Sequence, residues 1–379
     1  MENDKKFDRL PDSIKDMARY YLTFQYQELP EKPEFGKWYE YTPKGLLCSN
    51  DEPYHACIRK GKENKLCIIF CGGGVSINEY TAARPSSIFN APGTVGYYAD
   101  DVYILGDLGA RFGIGSDEVN NPIKDWTMLF IPYATGDFHA GQNNFEYTAT
   151  DGKKKILRHH GYINYRALLG KVKEFCPSPE QILVTGFSAG AFATALLTDD
   201  IMENFPDCSD VVCCVDSALI LYDGWKETAQ NVWKTPKAIS DRLHTNNITL
   251  DSLVALYKKR KEKVKILFMC STRDAELTRY QSFLDGGELG VTKEKGDMFT
   301  RHLREMCASL EKEIPASGYF IFDTPLSEGA DKEAQLTQHC IIVSTSVFTI
   351  ETEGYKAIDW LASCLSGKAL RVGKGLLAG

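Results

Sequence analysis

The chain has 379 residues, 43% of them apolar and 25% charged, with a formal net charge of −7. This is ordinary globular composition. Its acidic balance, broken only by the short basic runs 153–155 and 258–263, argues against a nucleic-acid partner, and no apolar run is long enough to span a membrane.

The N-terminus, MENDKKFDRLPDSIKD, is charged and lacks the apolar core of a secretory leader, so the sequence reads as cytoplasmic. A secreted protein whose leader has been removed is the alternative. Residues 1–45 are rich in aromatics (Tyr20, Tyr21, Phe24, Tyr26, Trp38, Tyr39, Tyr41) and are expected to form a strap or cap on one catalytic domain spanning 46–379. Within that domain, apolar runs predict strands at 66–70 and 126–131. A helix is expected at 162–175, leading into a strand at 182–184 and a small-residue helix from 191 to 197. Further strands are expected at 211–215, 265–270 and 318–322, and a closing helix at 355–365. Near-continuous apolar strands separated by helices imply an α/β fold with a mainly parallel sheet covered by helices on both faces. Such sheets bind ligands at the carboxyl ends of their strands. Of the twelve cysteines, Cys67, Cys71, Cys213, Cys214 and Cys270 fall inside apolar runs, where a thiol acts as a small hydrophobe. No C-x-x-C pair occurs, so no structural zinc is expected, and reduced thiols fit a reducing compartment.

The stretch QILVTGFSAG, residues 181–190, carries the chemistry. An apolar strand runs into Gly186-Phe187-Ser188-Ala189-Gly190 and a helix follows at once, which is the setting of a nucleophile elbow. A serine hydroxyl needs a base to take its proton and an acid to orient that base. In the order in which acid and base follow the serine, His244, His302 and His339 are available. His339, in a loop after the strand at 318–322, is the preferred base. For the acid, Asp274 and Asp216 both stand just beyond strands. Asp274 is preferred because it follows the later strand and lies nearer His339 in the chain. A helix N-cap is the competing reading for both aspartates. The loop Cys71-Gly72-Gly73-Gly74-Val75 lets the backbone approach a substrate and aim amides at an oxyanion, with the Ala189 N–H as a second donor. No G-K-[ST] follows, so a phosphate loop is disfavoured.

With these pieces in place the chain resembles the pectin acetylesterase family, which has a lipid deacylase among its animal relatives. The resemblance rests on IIFCGGG, FIPYATGDFHAG, HHGYINYRALL, LVTGFSAGAFAT, VCCVDSA and CSTRDAELTRYQ, spread in the family's order from about residue 38 to 345. It implies an α/β-hydrolase-like fold and a Ser–His–Asp esterase that uses no cofactor. Carried over by position, it implies Ser188 as nucleophile, Asp274 as acid, His339 as base, and oxyanion amides at Gly74, Val75 and Ala189. It further implies a substrate pocket touching Gly73, Asp137, His139 and Asn143. The chain departs from the family pattern in Val75-Ser76-Ile77 after the glycines, and in DSA where DSG is usual.

The expected function is therefore removal of O-acetyl groups from an acetylated carbohydrate through an acyl-enzyme. The alternatives are another small ester substrate, a lipid or protein deacylase, a general acylesterase, or a catalytically silent hydrolase fold used for binding. The sequence leaves the oligomeric state open.

Overall fold

A computed structural model describes residues 26–86, 95–102 and 109–378. The principal sheet has ten strands: β1 (Gln27–Glu28), β2 (Trp38–Tyr41), β3 (Ala56–Arg59), β4 (Lys65–Phe70), β5 (Thr127–Ile131), β6 (Gln181–Phe187), β7 (Val211–Asp216), β8 (Val264–Ser271), β9 (Gly318–Phe322) and β10 (Arg371–Val372). Their order in space is β1-β2-β3-β5-β4-β6-β7-β8-β9-β10. Every adjacent pair is parallel except β2–β3 and β3–β5. This is an α/β-hydrolase-like architecture, as the apolar strand pattern implies.

The central strands read KLCIIF, QILVTGF, VVCCVD and VKILFMCS, and almost every residue in them is buried. Two covered faces explain why they show no polar alternation. The flanking helices are α1 (Gly161–Val172), α2 (Ala189–Asn204), α3 (Ile248–Arg260), α4 (Ala275–Gly286), α5 (Lys293–Glu313) and α6 (Ala357–Leu365). Helix α1 packs on β5, α2 on β4, β6 and β7, and α3 on β8. The small residues of α2 (Ala189, Gly190, Ala191, Ala193, Ala195) bring it close to the sheet, and it is buried along most of its length. Among the described residues, no helix is long and apolar enough to cross a membrane.

The described part of the N-terminal segment adds edge strands β1 and β2 to this sheet; residues 1–25 of the expected strap lie outside the described residues. A separate antiparallel hairpin, Asn143–Thr148 paired with Lys154–His159, precedes α1. All twelve cysteines are buried and none forms a disulfide.

From β4 the chain goes to β5 on one side and then reaches β6 on the other. That reversal opens a crevice at the carboxyl ends of β4 and β6, the usual ligand position in such sheets.

Candidate active site

Two segments meet at that crevice. Ser188, immediately after β6, has φ 54° and ψ −126°, a conformation that side-chain-bearing residues rarely adopt. Strain of this kind costs of order 1–3 kcal/mol and persists only where the surroundings enforce it. Here the Ser188 N–H donates to the carbonyl of Asp216 at 3.1 Å, and the Ser188 carbonyl accepts from Ala191 and Phe192 at 2.9 and 3.3 Å. Gly190 must be glycine: a Cβ there would lie 2.0 Å from the Phe70 carbonyl oxygen. The positive end of α2 faces Ser188.

The glycine loop after β4 lies directly over the serine. A Cβ on Gly72 would come within 2.5 Å of the Ser188 Cβ and 3.2 Å of its Oγ. Among the described residues, the N–H groups of Gly73, Gly74 and Ala189 make no intramolecular hydrogen bond. The Val75 N–H differs, and this corrects the expectation from the sequence. It donates to the Tyr97 carbonyl at 2.7 Å and so is turned into the loop's own bonding.

The base and acid candidates come together from separate loops. His339 Nδ1 lies 2.8 Å from both Oδ1 and Oδ2 of Asp274. Asp274 is fully buried and also caps α4, its Oδ1 accepting the Leu277 N–H at 3.0 Å. The N-cap reading and the acid reading therefore apply to one side chain. Thr337 joins the two loops: its N–H donates to the Arg273 carbonyl at 3.1 Å, and its carbonyl accepts from Ala275 at 3.1 Å. His339 Nε2 is buried and, among the described residues, has no hydrogen-bond partner. Burial disfavours the imidazolium form, but the negative charges of Asp274, Glu276 and Asp216 outweigh it, and the net effect holds the His339 pKa above its usual value. Asp216, the second acid candidate, is directed elsewhere: its Oδ2 accepts the N–H groups of Ile341 and Ile342, each at 2.8 Å.

Ser188, His339 and Gly72 to Gly74 line one cleft of about 530 Å³. Its other walls include Phe187, Ala99, Glu276, Arg279, Tyr280 and Leu289. The sequence reading missed the last four. Glu276, Arg279 and Tyr280 sit on the first turns of α4, and the signal was their i, i+3 spacing behind a cap: Arg279 donates to Glu276 Oε1 at 2.6 Å. Gly73, expected at the pocket, lies in this wall.

Asp137, His139 and Asn143, expected at the pocket, are buried and are not among the residues that line this cleft. Asp137 accepts from Thr135 Oγ1 at 2.6 Å and from the N–H groups of Gly141 and Gly161 at 3.1 and 2.9 Å. His139 Nε2 lies 3.0 Å from the Cys71 carbonyl, under the start of the glycine loop. Asn143 donates to the Val232 carbonyl at 2.7 Å. The loop after β5 is buried, and its polar groups hold backbone in place. His244 and His302 also lie outside the cleft.

A family model described as pectinacetylesterase matches residues 54–254. The chain belongs to the pectinacetylesterase family. The matched span includes the glycine loop and the elbow and ends within α3, before Asp274 and His339. Among solved structures, the Wnt deacylase Notum from Drosophila is similar over 92% of this chain and 96% of that one, with a TM-score of 0.57 and 14% sequence identity. A likeness at that identity is one of fold. No curated protein matches the chain.

Proposed function

We propose that this member of the pectinacetylesterase family is a serine carboxylic-ester hydrolase that removes O-acetyl groups from an acetylated carbohydrate. The observation that carries the reading is His339. One ring nitrogen is held by Asp274, the other is unpartnered, and the ring shares a cleft with Ser188 on its strained turn.

In this mechanism His339 Nε2 takes the Ser188 hydroxyl proton as Oγ attacks the acetyl carbonyl. The tetrahedral oxyanion is held by the free N–H groups of Gly73, Gly74 and Ala189, preorganised where negative charge develops. His339 then protonates the leaving sugar oxygen. Water, deprotonated by the same imidazole, hydrolyses the acetyl-serine ester and regenerates the Ser188 hydroxyl. Asp274 fixes the imidazole tautomer and stabilises the imidazolium as it forms.

The test is acetate release from acetylated pectin, xylan and mannan, run beside p-nitrophenyl acetate, butyrate and octanoate. Preference for an acetylated polymer supports the reading, and Ser188→Ala should abolish the release. Phe187, Ala99 and Leu289 give the cleft apolar wall, which favours a longer-chain acylesterase as the second reading. That reading predicts octanoate turnover above acetate.

Twelve buried cysteines, none of them in a disulfide, fit a cytoplasmic setting, where thiols stay reduced. Fractionation of cells producing the chain would test that, and recovery from the medium would contradict it.

A further inference from the structure

We propose that Asp216 is a positioning residue that ties the nucleophile turn and the base loop into one unit. The proposal rests on the Ser188–His339–Asp274 reading and adds a residue that this reading does not use.

Asp216 ends β7, is fully buried and does not line the cleft. Its backbone holds one partner and its side chain the other. The carbonyl accepts the N–H of Ser188 at 3.1 Å. The carboxylate Oδ2 accepts the N–H groups of Ile341 and Ile342, and Oδ1 accepts Ser217 Oγ–H at 3.1 Å. Ser217 Oγ in turn accepts the Cys340 N–H at 3.3 Å. The three amides that follow His339 are thus gathered by two adjacent residues at the end of the strand beside the elbow.

On the N-terminal side of His339 the loop is held through Thr337 and Gln338; on the C-terminal side the amide donors are held by Asp216 and Ser217. Cys340 sits at φ 57° and Ser217 at φ 64°, left-handed conformations that persist only where neighbours enforce them. Asp274 fixes the His339 ring, while Asp216 fixes the backbone that carries it. A carboxylate is suited to the task, because its two oxygens accept several bonds at once and charge-assisted bonds to N–H are strong. Its charge also reaches the base, since Asp216 is one of the groups favouring the His339 imidazolium. The other titratable groups around it are the thiols of Cys214, Cys270 and Cys340, all held neutral by burial, and His339 itself, which is bonded to Asp274.

The full-length chain with p-nitrophenyl acetate provides the test. Asp216→Ala removes the amide acceptors and should lower kcat by about 10- to 100-fold with KM nearly unchanged, the scale expected when a reacting group is misplaced. Asp216→Asn keeps an oxygen for the two amides but removes the charge. It should retain more activity than Asp216→Ala and move the acid limb of the kcat/KM profile to lower pH. A role in folding alone would leave that limb in place. If Asp216→Ala does not fold, Ser217→Gly serves in its place. Glycine accepts the positive φ, deletes the hydroxyl that holds Cys340, and should lower kcat severalfold. Unchanged kcat and an unmoved acid limb overturn the proposal. So does a loss in Asp216→Asn as large as that in Asp274→Asn, which would make Asp216 the catalytic acid. Ser188→Ala in the same assay separates the two claims: residual wild-type turnover there refutes the triad reading itself.

Discussion

His339 works under two opposed pressures. Its burial favours the neutral ring, which a general base must be, while Asp274, Glu276 and Asp216 favour the protonated one. The charges win, so in the proposed mechanism His339 needs a pH somewhat above the usual histidine value of 6.5 before it is free to accept a proton. The acid limb of kcat/KM should accordingly fall above pH 6.5, and activity should decline as pH drops through it. Asp274→Asn removes the charge in direct contact with the ring and leaves the tautomer unfixed. Its kcat should fall by about 10⁴-fold, the scale of that change in a serine–histidine–aspartate site. A limb well below 6.5 in the wild type would contradict this electrostatic account. For Ser188→Ala, kcat should fall by about 10⁴-fold or more, with the melting temperature kept or slightly raised, since alanine removes the nucleophile but not the strained turn. Fluorophosphonate labelling that persists in this variant would place the nucleophile elsewhere.

At the scale of elements, the glycine loop is held from two sides. Ala99 donates to the Gly73 carbonyl at 2.7 Å, and the Tyr97 carbonyl accepts both the Val75 N–H and the Tyr280 hydroxyl. Tyr280 belongs to α4, whose N-cap is Asp274, so one helix braces Asp274 and the glycine loop together. Tyr280→Phe should cost about 1 kcal/mol of stability, because the Tyr97 carbonyl keeps its Val75 bond. It should lower kcat severalfold while KM stays nearly constant, since the loop's amides act most strongly on the oxyanion. A change confined to KM would show that the hydroxyl serves substrate binding instead.

The strands behind Ser188, Asp216 and Asp274 were legible in the sequence because strands buried on both faces are uninterrupted apolar runs. Two of them place Ser188 and Asp274 at one edge. The hairpin strands Asn143–Thr148 and Lys154–His159 were not legible. They are only partly buried, and KKILRH carries too many charges to read as a strand. The bracing by Tyr280 was also hidden, because it depends on the direction in which α4 leaves its cap. The burial of Asp137 and His139 was hidden for a related reason: polar residues after a strand look the same in sequence whether their loop is exposed or buried.

For the whole molecule, the consequence of burying so many polar groups is a balance in acid stability. Burial holds His139 down to about 4 and His159 down to about 3. Between those values and 6.5 the unfolded chain binds protons that the folded one refuses, so this contribution to stability is lost as pH falls below about 6.5. Burial pushes the other way on Asp137, raised to about 7, and on Asp216, raised to about 6. From the usual aspartate value of 3.8 up to those values the folded state holds protons that the unfolded chain releases. Their contribution is therefore full at low pH and lost as pH rises toward 6 or 7. The two pairs oppose each other over the same interval, and together they should leave stability nearly level between about pH 4.5 and 6.5. Asp137→Asn breaks the balance. The amide oxygen can still accept from Gly141 and Gly161, but the proton uptake that favoured the folded state at low pH is gone. Relative to wild type, the variant should lose about 2 kcal/mol more between pH 7 and pH 5, seen as a steeper fall in urea midpoint with acid. Parallel pH profiles for the two proteins would mean that Asp137 is ionised in the fold throughout, and that its four-membered network with Thr135, Gly141 and Gly161 offsets its burial in full.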